Sequence, residues 1–151
     1  MLKKVTTLLF IYLQLFATAS IHLKVDSLEK ALANTSIDTV KISALLNLSL
    51  CFEDYVPYKS IEYLSEAKKL VLNTTDKLLR AKIINQLGSI YYNVGDYKNT
   101  LDNFLETLLI YEKCGDHRGI ANCLNNIGSV FIAENNYSKA LEYHLKALVI
   151  R

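Results

Sequence analysis

The chain has 151 residues, of which 51% are hydrophobic and 21% are charged, and its formal net charge is +2. This composition is typical of a folded protein, and the length suits one compact domain or a short array of repeats. Lysine and arginine are spread along the chain, whereas a nucleic-acid-binding surface concentrates them on one face or stripe. We therefore expect no nucleic-acid partner.

The first twenty residues, MLKKVTTLLFIYLQLFATAS, differ from the rest. Two lysines precede an apolar stretch from Val5 to Phe16, and Ala17-Thr18-Ala19 follows it. This is the three-part layout of a secretory signal peptide, and the apolar stretch is shorter than the roughly 20 residues that span a bilayer. We predict a signal peptide over residues 1–19 and export of the chain. An uncleaved signal anchor and a buried first helix are the alternatives, and we expect membrane attachment only through such a leader or a further segment downstream.

Three cysteines, Cys51, Cys114 and Cys123, leave at least one thiol unpaired. Cys51 and Cys123 fall within predicted helices, where cysteine commonly behaves as a small hydrophobic residue. A Cys114–Cys123 disulfide is the alternative, and it requires the two Cα atoms to lie within about 7 Å. The sequence has no C-x-x-C or H-E-x-x-H spacing, so we predict no metal site.

The second half of the chain repeats itself at a distance of 40 residues. Nine residues recur unchanged in one ungapped frame; the first copy holds Ala81, Asn85, Gly88, Ser89, Tyr97, Leu101, Leu105, Leu108 and Ile110. A more diverged copy precedes these two, with Ser49 in the place of Gly88 and Ser60 in the place of Thr100. Self-similarity at a period of 20–50 residues indicates a solenoid or repeat array.

Each unit has the pattern of two helices. Ile84, Leu87, Gly88 and Tyr91 share one face by their spacing of three and four, and the segment NVGDY then interrupts the pattern with turn-forming residues. A second apolar stripe follows, formed by Leu101, Phe104, Leu105 and Leu108. The chain is therefore predicted to be all-α.

Helix ends are marked by glycine and aspartate. Gly115 suits a left-handed cap at the end of the second helix, and Asp116 is placed to cap the helix that follows by accepting backbone N–H bonds. Asp76 is expected to do the same one repeat earlier. We predict a half-unit cap over residues 20–37 and repeats over residues 38–75, 76–115 and 116–151, the last without a capping helix.

The repeated residues resemble a known family. The spacing Ile84-x-x-Leu87-Gly88-x-x-Tyr91, followed by Thr100-x-x-x-Phe104, is similar to the tetratricopeptide repeat, and so is the spacing Leu124-x-x-Ile127-Gly128-x-x-Phe131 followed by Ala140. The resemblance extends from about Ile42 to the end, although the unit has 40 residues instead of about 34 and the family's closing proline is absent. It implies a right-handed superhelical stack of antiparallel helix pairs. It also implies that Gly88 and Gly128 lie where the two helices cross, facing the small residues Thr100 and Ala140.

Such a stack has a concave face lined by the first helix of each unit. The residues expected there are mostly amides and hydroxyls, which offer donors and acceptors to the backbone of an extended peptide. The alternatives are a merely solvated face, or amides that bond across to the neighbouring unit. A clamp for an acidic terminus needs several cations, and Lys82 is the only one in this strip. We define the predicted strip as Lys82, Asn85, Gln86, Ser89, Tyr92, Asn93, Asn122, Asn125, Asn126, Ser129 and Ile132.

Catalytic patterns are missing from the sequence. His22, His117 and His144 are dispersed, and there is no nucleophile elbow, phosphate-binding glycine loop or paired-acid arrangement. We therefore predict a non-catalytic protein that needs no cofactor and binds a peptide or a protein.

The leader and the 40-residue repeats together are similar to the exported N-terminal region of bacterial signalling proteins. This resemblance implies a sensory or scaffold role on the periplasmic or extracellular side of the membrane. The alternative function is a structural spacer that self-associates through its C-terminal edge.

Overall fold

The computed structural model describes residues 21–150, which form seven helices and no strand. The predicted signal peptide, residues 1–19, lies outside the described residues. Helix α1 covers residues 21–34 of the described part. The others are α2 (Asp38–Phe52), α3 (Pro57–Val71), α4 (Lys77–Asn93), α5 (Tyr97–Cys114), α6 (His117–Ala133) and α7 (Tyr137–Ile150). Among them, none combines the length and apolar character that crossing a bilayer requires.

The predicted aspartate caps lie at the starts of α4 and α6, which are the first helices of the second and third pairs. Asp76 Oδ1 accepts the N–H of Leu79 at 2.9 Å at the start of α4, and Asp116 Oδ1 accepts the N–H of Gly119 at 2.9 Å at the start of α6. Both predicted N-caps are confirmed. Asp96 caps α5 in the same way, through the N–H of Asn99.

Residues with a left-handed backbone conformation follow several helices and reverse the direction of the chain. Gly115 follows α5 with φ = 68°, as the sequence predicted, and Gly95 follows α4 with φ = 80°. In the next repeat the position of Gly95 is taken by Asn135, with φ = 59°. Asparagine is among the few residues with a side chain that adopt this conformation readily, so the tight turn is kept without glycine.

The helices pack as successive pairs, α2 with α3, α4 with α5 and α6 with α7, and each pair also contacts the next through α3 with α4 and α5 with α6. Helix α4 joins two apolar clusters. Ile83, Leu87 and Ile90 belong to the cluster built with α2 and α3, while Ala81 belongs to the cluster built with α5, α6 and α7. This is the predicted all-α stack of helix pairs.

Helix α1 lies against the first pair. Val25 is buried, Leu32 packs on the cluster that contains Ile42, and the Tyr63 hydroxyl donates to Glu29 Oε1 at 3.2 Å. These contacts place α1 beside α3 and extend the apolar interior in the N-terminal direction.

The three cysteines are free thiols. Cys123 is buried and its thiol donates to the carbonyl oxygen of Phe104 at 2.9 Å, whereas Cys114 is exposed at the end of α5. The structure therefore holds no Cys114–Cys123 disulfide.

Both repeated glycines lie where two helices approach closely, but the opposing residue differs from the expectation. A Cβ added at Gly88 would lie 2.8 Å from ring carbons of Phe104, and one added at Gly128 would lie 2.8 Å from Cε1 of His144. Thr100 and Ala140 are buried, yet the atoms nearest to the added Cβ belong to these rings, four residues later. Helical side chains point back toward the N-terminus, so each ring covers the turn that precedes its own Cα.

Candidate functional site

The predicted strip lies on α4 and α6, which repeat one another in exposure as well as in sequence. Residues 81–90 and 121–130 have the same pattern of buried, half-buried and exposed positions. Asn85, Gln86 and Ser89 are half-buried, as are their counterparts in α6. Lys82 and Asn122, one turn earlier, are exposed. The strip is therefore a partly sheltered polar surface with an open end.

Two of its amides join neighbouring first helices. Asn126 Nδ2 donates to Asn85 Oδ1 at 3.4 Å, between α6 and α4, and Gln86 Nε2 donates to Ser49 Oγ at 3.4 Å, between α4 and α2. These long hydrogen bonds favour the alternative in which amides bond across to the next unit. Each amide has two donor hydrogens and an oxygen with two lone pairs, so a single long bond leaves most of its capacity unused.

Asn125 is engaged within its own repeat. Its Oδ1 lies 3.1 Å from Nδ1 of His144 on α7, so its side chain is directed toward the paired helix. The hydroxyls of Ser89 and Ser129 donate to the carbonyl oxygens of Asn85 and Asn125 at 3.1 Å, one turn back along the helix. Each hydroxyl oxygen keeps lone pairs that can accept a bond from a ligand.

The structure brings five residues of the strip together around one pocket of about 290 Å³. Ser89, Tyr92 and Asn93 come from α4, while Asn126 and Ser129 come from α6. The sixth lining residue is Phe104 of α5, which the sequence did not indicate as a site residue. Its ring reaches this position by lying over Gly88, so the recurring glycine was the signal that could have revealed it.

The other strip residues lie outside this pocket. Asn122 lines a separate pocket of about 610 Å³ with His117, Arg118, Ala121 and Ile150. Lys82 and Ile132 are exposed, with Ile132 toward the C-terminal end of α6. The polar pocket itself has only uncharged side chains in its lining.

Charged side chains cluster elsewhere, where α3, α4 and α5 meet. Glu106 accepts Lys68 Nζ at 2.7 Å and Arg80 Nη2 at 2.9 Å, and Lys68 also reaches Asn103 Oδ1 at 3.4 Å. Burial raises the pKa of the Glu106 carboxyl, but the hydrogen bonds and charges of Lys68 and Arg80 outweigh this effect and hold its pKa below the usual value of 4.5. The carboxylate therefore joins two repeats as an anion.

No metal site is formed by the residues from 21 to 150, since none of their His, Cys, Asp and Glu side chains assemble in a group of three or more that could hold an ion. Two of the histidines lie far apart in role: His144 packs over Gly128, and His117 is exposed at the start of α6.

Residues 79–151 match the sequence model of the tetratricopeptide repeat. The fold is similar to that of BtubC from P. vanneervenii (TM-score 0.72, 18% identity, 86% of this chain and 54% of that one). It is also similar to aspartyl phosphate phosphatase F from Bacillus subtilis (TM-score 0.73, 15% identity, 79% and 32%) and to the TPR domain of Arabidopsis FLU (TM-score 0.69, 17% identity, 75% and 96%).

The sequence match over residues 79–151 and the similarity to the structure of a TPR domain both support a tetratricopeptide repeat protein. The chain spans about half the length of BtubC and about a third of the phosphatase, and no curated protein matches it. Tetratricopeptide repeats commonly serve as protein–protein interaction modules and are generally non-catalytic.

Proposed function

We propose that this protein is a non-catalytic interaction module that binds an extended peptide segment of a protein partner along the strip formed by α4 and α6. The observation that carries the proposal is the pocket of about 290 Å³ lined by Ser89, Tyr92, Asn93, Asn126, Ser129 and Phe104. It combines unused hydrogen-bonding capacity with an aromatic wall at the junction of two repeats.

The chemistry of the pocket favours an uncharged ligand group. Amide and hydroxyl side chains pair with peptide N–H and C=O groups, whereas a charged side chain entering here would lose water without meeting an opposite charge. The volume is at the lower limit of pockets for small ligands, so the pocket suits one side chain of a longer ligand. Tyr92, which is half-buried, supplies apolar contact for the non-polar part of that side chain.

The proposal extends to location and role. A lysine pair, an apolar stretch and Ala17-Thr18-Ala19 support export, and repeats of 40 residues after such a leader support the sensory or scaffold part of a signalling protein. N-terminal sequencing of the protein from the periplasmic or secreted fraction tests export. We expect cleavage after Ala19, and a product that retains Met1 in the cytoplasmic fraction would contradict it.

Peptide binding is tested by selecting ligands from a displayed peptide library and measuring their affinity for designed variants. Asn93→Ala combined with Ser129→Ala should weaken a selected peptide by about tenfold, which corresponds to about 1.4 kcal/mol. The matched control combines Asn73→Ala with Ser138→Ala, which are exposed residues of the same types outside the strip. Failure to select any peptide, or equal binding by both double variants with unchanged helicity, would contradict the proposed groove.

The second candidate function is a spacer that self-associates. The observation favouring it is a row of exposed apolar side chains on α7, where Leu141, Leu145, Leu148 and Val149 are each more than half exposed. A continuous apolar surface of this kind on a folded protein marks a contact site more often than a solvated surface.

A further inference from the structure

Helix α7 carries an apolar ridge that the described residues leave uncovered. Tyr137, Leu141, Leu145 and Val149 are spaced four apart, so they lie one above the other along the helix, and Leu148 lies beside them. Their exposed fractions are 64%, 60%, 52% and 86%, and that of Leu148 is 69%. We call these five residues the α7 ridge.

The preceding repeat shows what this pattern does when it is covered. Tyr97, Leu101 and Leu108 of α5 occupy the places of Tyr137, Leu141 and Leu148, and they are partly buried against the apolar cluster that α6 contributes to. On α5, Tyr97, Leu101 and Leu108 therefore belong to an interhelix surface, whereas Leu105 and Leu109, the counterparts of Leu145 and Val149, are 42% and 55% exposed. Tyr137, Leu141 and Leu148 are thus the part of the ridge whose counterparts are covered one repeat earlier. The covering element on α5 is a helix, and a helix is the expected form of the element that covers α7.

The geometry of the ridge suits a second copy of itself. Rows of side chains four residues apart interdigitate when two helices cross at about −50°, which is the commonest packing class in globular proteins. Two identical rows can meet in this way about a twofold axis, because such an interface uses the same patch on both partners. The α7 ridge of one copy can therefore pack against the α7 ridge of a second copy.

Charge placement selects the direction of the second copy. Glu142 and Lys146 lie on one flank of the ridge, joined at 2.6 Å within the chain, and their side chains are 57% and 53% exposed. In an antiparallel pair with the axis near His144, this flank meets the same flank of the other copy, so Glu142 of each copy comes beside Lys146 of the other. A parallel pair would place the two flanks on opposite sides of the contact, out of reach of each other.

We propose that the α7 ridge is the contact surface of a homodimer, in which α7 of one copy crosses α7 of the other in antiparallel orientation about a twofold axis. The proposal deepens the second candidate function and is independent of peptide binding along α4 and α6. Glu142 and Lys146 provide exchangeable ion pairs at the border of the contact, which fix its direction more than its strength.

Sedimentation velocity of residues 20–151, the chain without the predicted leader, between about 10 µM and 1 mM tests the contact, since a single helix pair falls at the small and weak end of interface sizes. We expect the mass to rise from one chain to two. Leu145→Lys should raise the dissociation constant at least tenfold, whereas Leu105→Lys, an exposed leucine at the same register one repeat earlier, should leave it unchanged. Far-ultraviolet circular dichroism verifies that both variants remain helical.

A charge exchange tests the direction. Glu142→Lys and Lys146→Glu should each weaken self-association, because each places like charges together across the axis. An equimolar mixture of the two variants should restore the dimer as a mixed species, because every border pair is then of opposite charge. A parallel contact predicts no restoration.

Several outcomes would overturn the proposal. These are a single-chain mass at all concentrations, a dimer that survives Leu145→Lys, equal loss in Leu105→Lys, or growth beyond two chains, which is the mark of a head-to-tail contact. If a helix of another protein occupied the ridge instead, the purified chain would stay monomeric at all concentrations, and this result would also overturn the proposal. Peptide affinity measured on Leu145→Lys should be unchanged, which separates failure of this proposal from failure of the peptide groove.

Discussion

The ring of His144 lies over Gly128 just as the ring of Phe104 lies over Gly88, forty residues earlier. At both places the position of an added Cβ is 2.8 Å from the nearest ring carbon. Real Cβ atoms do not approach ring carbons so closely, so a side chain at either glycine would require the ring or the paired helix to move. The cost of a glycine within a helix, about 1 kcal/mol relative to alanine, is offset by the close packing that it permits.

Gly128→Leu should lower the free energy of unfolding by about 1–3 kcal/mol or more, because the new side chain overpacks the contact between α6 and α7. Chemical denaturation monitored by circular dichroism measures the change. Asn122→Leu introduces the same side chain at an exposed position of the same helix, and it should have little effect. Similar free energies of unfolding for the two variants would contradict the packing described at Gly128.

The first repeat suggests how the contact at Gly88 can be rebuilt. Its equivalent positions hold Ser49 and Leu64, a larger residue on the first helix and a non-aromatic one on the second. Gly88→Ser alone should destabilise the protein by about 1–3 kcal/mol through contact with Phe104. Adding Phe104→Leu should cost less than the sum of the two single changes, because residues in contact are energetically coupled. A double-mutant cycle measures this coupling, and strict additivity would show that the two positions are independent.

The repeated residues predicted the helix pairs because two helices that cross closely need small residues at the crossing point. Recurrence of Gly88 at Gly128 placed the crossing on the correct turn of the first helix. It placed the opposing residue at Thr100 and Ala140, which are small and recur in the expected register. The direction of helical side chains, which lean toward the N-terminus, moves the actual contact to the ring four residues later.

A third glycine contact could not be found by looking for identical residues. A Cβ added at Gly119 would lie 2.6 Å from the ring of Tyr111, between α5 and α6. The same junction one repeat earlier has Leu79 and Val71, so the larger residue is on the other helix. The large residue and the small residue change places between the two junctions. This is visible only when both residues of one junction are compared with both residues of the other.

The candidate site was predictable as a surface but not as a set of hydrogen bonds. Helical spacing placed Asn85, Asn125 and Asn126 near one another on the first helices. It did not indicate that Asn125 bonds His144 or that Asn126 bonds Asn85, because these partners depend on side-chain conformation and on the distance between helices. Phe104 entered the pocket for the same reason, through a ring orientation that spacing does not specify.

The ionic cluster around Glu106 should make stability depend on pH in the acid range. The pKa of this carboxyl is lower in the folded chain than in the unfolded chain, so the folded state binds fewer protons. Its contribution to stability is therefore complete above the unfolded pKa, close to the usual value of 4.5, and is lost as the pH falls through the lower folded value. Denaturation between about pH 6 and pH 3 should show a smaller loss of stability in Glu106→Gln than in the wild type.

A matched control for Glu106 exists in the first repeat. Glu66 occupies the equivalent position of α3, is exposed, and forms no ion pair with another of the described residues. Glu66→Gln should follow the wild-type pH profile. If Glu106→Gln followed it too, Lys68 and Arg80 would not be stabilising the folded state through this carboxylate.

The buried thiol of Cys123 should be chemically inert while the protein is folded. Burial raises its pKa from 9.0 to about 12, and the thiol donates to the carbonyl oxygen of Phe104. At pH 8 only about one molecule in ten thousand then carries the reactive thiolate, and an alkylating reagent has no direct access to it.

Iodoacetamide should modify exposed Cys114 within minutes and should reach Cys123 only when the domain unfolds, as judged by mass spectrometry of tryptic peptides. Adding denaturant should make the two rates similar, whereas Cys114→Ser should leave the rate at Cys123 unchanged. Rapid modification of Cys123 in the absence of denaturant would show that α5 and α6 separate locally.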